Sequence, residues 1–520
     1  MNIVKRFAFI FIIFFFFSNC KKEKRGLSWD SDYSLPIATT TITLNNFIAD
    51  SLLENSGNKV GVVYKTTLYE LDKSLLFNIP DTTILYPYSG IPFGTINVFP
   101  SQVITETVQE IQLPTGQAGI SRMIMLSGKL QYTLTNRITQ PLVIVYSIPA
   151  ATKNNQSLSV SINVPAAAST MVPTVVVDSI DLAGYDIDMT GTAQNSVNKV
   201  SSLTTISLAP NAQQTVLDNT TTFNFSITFQ KLKPYYARGY FGQSIINVGP
   251  SYSNLDVFKN MKSGSFNLSK ASCALDIENG IGVDAKLKIK SINSTNTNSN
   301  KIQNLTHPLI NKYLNINRAL DNPYQPSNYQ IYLDETNSNI TNLIEIMPNK
   351  IGYEMQVEMN PLGNISNGTD FIYSDKLMSA KMLLRIPLNT KLNELVLQDT
   401  ISLNLDDKFA DEVNYGRLKL YVKNYFKNDI KLNLFTLNSD NTLGTDISSN
   451  NFITPNLNGS NEKKLIEIVM PTNIIKDLFA NKKLLIKVTL NSNENYVEIN
   501  SDSRIEVQAS ADFTRTNYIK

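Results

Sequence analysis

The chain has 520 residues, 46 Lys and Arg against 44 Asp and Glu, and only 17% charged residues. That balance offers no basic field for nucleic acid and no long acidic tail. The length exceeds the roughly 250–300 residues at which one core stops growing, so several domains are expected. A single histidine, His307, excludes a His-rich metal centre.

The chain opens with MNIVKRFAFIFIIFFFFSNC: two basic residues, Lys5 and Arg6, then an apolar run from Phe7 to Phe17, then Ser18-Asn19-Cys20. A charged start and a short apolar middle are the layout of a secretory signal. The run of eleven residues is too short to cross roughly 30 Å of hydrocarbon as a helix. Cys20 directly after it resembles the lipobox of bacterial lipoproteins. Phe17 and Ser18 supply the bulky and small residues of that pattern, while Asn19 stands where Gly or Ala is usual. The resemblance implies cleavage of residues 1–19 and acylation of Cys20 with fatty chains such as palmitate. The competing reading is a secretory protein cut elsewhere. Residues 20–38 then form the anchor and its tether, beginning with the charged Lys21-Lys22-Glu23-Lys24-Arg25. Cys-Lys-Lys-Glu partly resembles the surface-export signal of Bacteroidota lipoproteins, but Lys24 replaces a second acidic residue. The implied address is the outer membrane, with the face left open.

Trp29, the only tryptophan, reads as an anchor for the N-terminal arm. Thr39–Leu44 alternates like a strand, and LNNFIADSLLEN predicts a short helix with Asn45 as cap and Phe47, Ile48, Leu52 and Leu53 on one face. From there two phrases recur. Asn58-Lys59, Asn198-Lys199, Asn349-Lys350 and Asn481-Lys482 each open an alternating run, which with the run after it reads as a hairpin or meander. Helical patterns at Ile340–Ile346 and Asn473–Ala480 precede the last two.

The second phrase covers Gly128–Ile148, Ala271–Ile292 and Gly416–Leu437. Aligned on Asn136, Asn279 and Asn424, apolar residues match at −6, −4, −2, +2, +6 and +8. The three asparagines lie 143 and 145 residues apart. Period-2 matching on both sides of a polar residue predicts two strands joined at a turn or bulge, with Asn at the junction because it bonds its own backbone readily. The fold class is therefore mainly β: tandem antiparallel β-sandwich-like repeat units of about 140–145 residues with a few short helices. The segments read as 39–175, 176–325, 326–460 and a terminal half-unit, 461–520. Cys273 falls at the −6 position, where the other copies have Leu130 and Leu418, so it reads as a small buried hydrophobe. Ser291–Asn304 reads as an exposed loop or linker between the second and third units, and His307-Pro308 as the start of a short helix.

Catalytic patterns are sparse. The acidic cluster Asp406, Asp407, Asp411 and Glu412 lacks the alternating oxygen ligands of a calcium loop, and Asp440, Gly444 and Asp446 are no closer to one. There is no Gly-rich phosphate loop, no Gly-x-Ser-x-Gly elbow and no metal-spaced Cys or His. No cofactor, metal or nucleic-acid partner is expected, although a carboxylate-based hydrolase stays open. Asp-Ser/Thr tripeptides at Thr82, Ser179 and Thr400 resemble the O-glycosylation sequon of exported Bacteroidota proteins. The chain thus reads as a non-enzymatic envelope lipoprotein, structural or partner-binding. It would bind the membrane through its N-terminal lipid and an unidentified envelope protein or glycan through its body. The alternatives are a glycan-binding surface lipoprotein of a nutrient-uptake system and a lipid-binding envelope protein.

Overall fold

The computed structural model of the protein describes residues 28–46, 48–72, 79–91, 93–259, 261–406, 413–438, 440–448, 451–455 and 463–518. The signal, Cys20 and the tether as far as Leu27 lie outside these residues, as do Phe47, Asp407, Asp411 and Glu412. The described chain forms two compact units. One holds the described residues of Met1–Gly61, Val257–Ser269 and Leu388–Lys520, the other those of Val62–Asp256 and Lys270–Pro387.

The architecture is three β-sandwiches of one topology, each joined by a strand from the first ninety residues: β1 (Ser28–Thr43), β2 (Lys59–Glu70) and β3 (Thr82–Tyr88). The first sandwich is β4 (Val103–Gln112), β5 (Gly119–Asn136), β6 (Leu142–Lys153), β7 (Gln156–Val164), β8 (Thr174–Asp181), β9 (Lys199–Leu208) and β10 (Phe223–Tyr240). One sheet runs β4-β9-β6-β7 and the other β3-β10-β5-β8. A short strand, Asp186–Asp188, pairs with both β5 and β6 and so ties the two sheets together.

The second sandwich is β11 (Ser244–Asn254), β12 (Ser272–Asn279), β13 (Ala285–Asn296), β14 (Ser327–Asp334), helix α1 (Ile340–Glu345), β15 (Lys350–Met359), β16 (Asp370–Tyr373) and β17 (Met378–Pro387). Its sheets run β11-β15-β13 and β2-β17-β12-β14. The third is β18 (Asn389–Ser402), β19 (Val413–Asn424), β20 (Ile430–Leu437), β21 (Lys464–Met470), helix α2 (Thr472–Asn481), β22 (Lys483–Leu490) and β23 (Arg504–Tyr518), with sheets β18-β22-β20 and β1-β23-β19-β21. In every copy the strand opened by the Asn-Lys phrase lies between the copy's first strand and the strand after the repeat asparagine. In every copy, too, one strand from the first ninety residues borders the last strand: β3 beside β10, β2 beside β17, β1 beside β23.

The aligned apolar positions explain why each copy closes on itself. All eighteen residues at −6, −4, −2, +2, +6 and +8 are buried, from Leu130, Cys273 and Leu418 to Ile144, Leu287 and Leu432. Each large side chain among them contributes roughly 1.5–3 kcal/mol on leaving water. Asn136, Asn279 and Asn424 are themselves 0–1% exposed and sit where the chain leaves one sheet for the other. Their amides make the crossing possible. Asn136 Oδ1 accepts from the Ile138 N–H at 2.8 Å, Asn279 Oδ1 from Ile281 at 3.1 Å and Asn424 Oδ1 from Phe426 at 2.9 Å. Each Nδ2 then donates to a carbonyl two or four residues on, Ile138, Val283 or Asn428, and to a second carbonyl across a loop, Pro165, Asn317 or Ile453. A buried turn without these bonds would leave backbone groups unpaired.

The strands of the three copies fall within 103–240, 244–387 and 389–518, except that the strand Met261–Leu268 pairs with β18 and Val257–Ser269 belongs with the third copy's unit; these bounds are offset from the segments read off the phrases. The reason is that both phrases mark the middle of a sandwich, and the first Asn-Lys phrase opens β2, an added strand. The runs after each Asn-Lys phrase are not hairpins. β9 and β10, like β22 and β23, lie in opposite sheets, because their long connections can span the roughly 10 Å between layers. The helix expected in LNNFIADSLLEN is two 3₁₀ turns, Leu44–Asn46 and Asp50–Leu52. The other two helical patterns are α1 and α2. Ser291–Asn304 is no linker: β13 extends to Asn296 and pairs back with a short strand, Lys301–Asn304, with Ser294 fully buried. The segment after His307 is a pair of turns.

Candidate functional site

The repeat makes the copies comparable, and the loop held by the repeat asparagine is where they differ. In the first sandwich Asn136 holds Pro165, and the Ala167 N–H donates to the Ile138 carbonyl. In the second, Asn279 holds Asn317, and the Ala319 N–H donates to the Ile281 carbonyl. The anchor points match, but the second loop then carries Arg318, Asp321 and Tyr324. Leu320 and Gln325 exchange backbone hydrogen bonds, closing a turn that contains the cis Asn322–Pro323 bond.

Around Asp321 the loop gathers tyrosines from neighbouring strands. Tyr236 on β10 donates its phenol to Asp321 Oδ2 at 2.7 Å, and Tyr373 on β16 donates to Asp321 Oδ1 at 3.0 Å. β10 and β16 pair directly, Tyr236 opposite Tyr373. Tyr373 is the hub: its ring centroid lies 4.8 Å from Tyr236, 5.5 Å from Tyr324 and 5.7 Å from Tyr235, the last two edge-on. Such offset and T-shaped pairs are the favoured aromatic geometries. Phe371 closes the buried side, and Lys376 Nζ sits 3.9 Å from the Tyr324 centroid. Tyr236 and Phe371 are buried, while Tyr235, Tyr324 and Tyr373 are half-buried at the surface.

A second network fixes the base of the loop. Asp370 is fully buried and accepts from Arg318 at 3.0 Å and from Asn360 at 2.9 Å. Arg318 also donates to the carbonyls of Gly282 and Thr369. A buried carboxylate needs such pairing, and removing either partner is costly. Beside the cluster, Arg122 makes a two-pronged ion pair with Asp186 at 2.8 and 2.6 Å.

Burial first, and then the bond to Asp321, pushes the Tyr236 phenol upward; the same causes push Tyr373 up to about 12. Both phenols are therefore protonated donors at neutral pH, and both oxygens of Asp321 are engaged. The arrangement presents three ring edges, a cation and the loop at the surface.

The remaining sequence-singled residues are dispersed. Cys273 is 2% exposed, and burial pushes its thiol up to about 12. His307 Nδ1 accepts the Leu309 N–H at 3.2 Å, a local turn cap. Thr82 is half-buried and donates to the Pro80 carbonyl, while Ser179 and Thr400 are exposed on β8 and β18. The Asp440 and Asp446 carboxylates accept from Thr442 and Ser448 in local turns. Among the described residues no group of three or more His, Cys, Asp or Glu side chains is placed to hold a metal. Sequence reading missed the Asp321 cluster. The adjacent Tyr235-Tyr236 and the Asp-Asn-Pro-Tyr of residues 321–324 were visible, but nothing in the order of residues says that β10 and β16 meet.

No family model matches the chain, and no curated protein matches it. Among solved structures, a protein of Parabacteroides distasonis described as secreted aligns over 93% of this chain and 99% of its own, at 9% identity and a TM-score of 0.28. A T13 infectious bursal disease virus particle aligns over 85% of this chain and 78% of its own, at 7% identity and a TM-score of 0.15. Broad Bean Stain Virus aligns over 54% and 91%, at 8% identity and 0.13. Likeness this loose carries no argument about this chain.

Proposed function

We propose that the chain is a lipid-anchored protein of the cell envelope, held in the outer membrane by acylated Cys20, whose three sandwiches form a non-enzymatic body for spacing or partner binding. The observation that carries the reading is the junction of signal and fold. Cys20 follows the apolar run after Ser18-Asn19, and seven residues separate it from Ser28, the first paired residue among those described. Labelled palmitate is expected in the wild-type chain and absent from Cys20→Ala, which should leave the membrane fraction. Label in Cys20→Ala would refute the anchor. Protease treatment of intact cells distinguishes the two membrane faces. Glycan mass spectrometry of the peptides carrying Thr82, Ser179 and Thr400 tests their modification.

The tyrosine cluster favours a second reading, glycan binding. Sugars stack on aromatic rings, and Tyr235, Tyr324 and Tyr373 present theirs half-exposed beside Lys376. A glycan array should then show binding that falls on replacing Tyr324 by Ala. Binding that survives this change, or no binding at all, removes the reading.

A further inference from the structure

We infer that the ribbon formed by β1 and β23 lies on the surface of the membrane that carries the anchor, with Trp29, Tyr33 and Leu35 inserted among the lipid headgroups. The two strands pair without a break from Ser28 opposite Tyr518 to Pro36 opposite Ser510. Next to β23 lies β19, paired from Val413 opposite Arg515 to Asn424 opposite Ile505 among the described residues.

The ribbon has two faces of opposite character, because directly opposed residues in an antiparallel pair share a face. One face is polar and satisfied. Asp30 accepts from Thr516 and Asp32 from Thr514, both at 2.8 Å, and Ser34 donates to Asp512 at 2.6 Å. The other face continues the apolar side of the sheet. Trp29 is 52% exposed, Leu35 41% and Tyr33 39%, with the Tyr33 ring stacked on Phe513 at 5.6 Å. Arg515, opposite Ser31, lies on this same face. Trp and Tyr flanked by Arg or Lys are the side chains that settle at a bilayer interface, apolar body inward and polar tip outward.

What commits this face to lipid is its distance from the anchor. Trp29 is nine residues from Cys20, a span of at most roughly 30 Å fully extended. A tether this short holds the ribbon at an effective concentration of about millimolar near the bilayer. The tether carries Lys21, Lys22, Lys24 and Arg25 against Glu23 alone, which favours an anionic surface. The inference takes its proximity argument from the anchor reading.

Trp29 is the single tryptophan, so its fluorescence reports this ribbon alone. The mature acylated chain is reconstituted in phosphatidylethanolamine–phosphatidylglycerol vesicles, and the Cys20→Ala chain is mixed with the same vesicles. In both, Trp29 emission should move to shorter wavelength and be quenched by brominated acyl chains. Replacing Tyr33 and Leu35 by Ser in the Cys20→Ala chain should weaken vesicle binding by roughly tenfold or more, with circular dichroism unchanged. Trp29 that stays unshifted and unquenched in the acylated chain overturns the inference. So does a Trp29 shift caused only by added envelope proteins, which would assign the face to a protein. Quenching in Cys20→Ala, with Cys20 found unacylated in cells, removes the anchor and leaves the ribbon docking standing. Acylation without quenching does the reverse.

Discussion

Replacing a repeat asparagine by alanine removes the acceptor of one buried N–H and the donor to two carbonyls. At Asn136 the Ile138 N–H and the Pro165 carbonyl lose their partners at 2.8 and 3.0 Å. Each orphaned group costs about 1–3 kcal/mol, so the variant should lose about 2–6 kcal/mol, a large part of the roughly 5–15 kcal/mol that holds a domain. Asn279→Ala and Asn424→Ala should cost the same within that range, since their bonds are the same. Global melts of a multi-domain chain are not two-state, so the assay is hydrogen exchange read by mass spectrometry on the strands flanking each turn. Protection of β5 and β6, β12 and β13, or β19 and β20 should fall at least about tenfold in the sandwich mutated. Asn→Asp keeps the acceptor but points a second oxygen at the loop carbonyl, so at neutral pH it should not rescue the loss. A cost under about 1 kcal/mol at any of the three sites, or rescue by Asp, would refute the reasoning.

Cys273 should resist alkylation in the native Cys20→Ala chain at pH 8 and react fully in denaturant, since burial holds its pKa near 12 and the thiolate is the reactive form; rapid native labelling would show the slot to be open. Glu110 accepts from the Thr192 hydroxyl and N–H and from Lys199, which together lower its pKa to about 2. A depressed carboxylate stabilises the fold above its unfolded pKa of roughly 4.5 and loses that contribution as pH falls toward 2. Hydrogen-exchange protection of β4 and β9 across that window should therefore fall more in the wild type than in Glu110→Gln, and parallel losses would contradict it. A Cβ on Gly282 would collide with the Phe371 ring. Gly282→Ala should therefore displace Phe371, loosen the Tyr236–Tyr373 pair and shift the near-ultraviolet tyrosine signal; an unchanged spectrum would count against the packing.

The sandwich core was readable in the sequence because burial at a sheet face imposes period 2, and the three copies repeat it in register. Leu134, Ile277 and Val422 had to be apolar once Asn136, Asn279 and Asn424 were aligned. The turn chemistry of those asparagines was legible too, since a side-chain amide is suited to satisfying a tight crossing. Sheet membership was not legible. A polar connection between β9 and β10 looks the same whether the chain folds back on one sheet or crosses to the other. The partnership of β1 with β23, 478 residues apart at Ser34 and Asp512, leaves no local trace. The Asp321 cluster was hidden for the same reason: Tyr236, Asp321 and Tyr373 come from three distant stretches and obey no spacing rule. Trp29 read as anchoring the arm to the first domain, but its strand pairs with β23 at the far end of the chain and its side chain is half exposed.

The central claim is an exported chain whose mature body of three like sandwiches hangs from one acylated residue. Mass spectrometry of the N-terminal peptide of the chain purified from its native membranes tests it most directly. The account predicts a mature protein that starts at Cys20 and carries fatty acyl groups on that residue. A mature N-terminus elsewhere, or an unmodified Cys20 in membrane-bound protein, would contradict it.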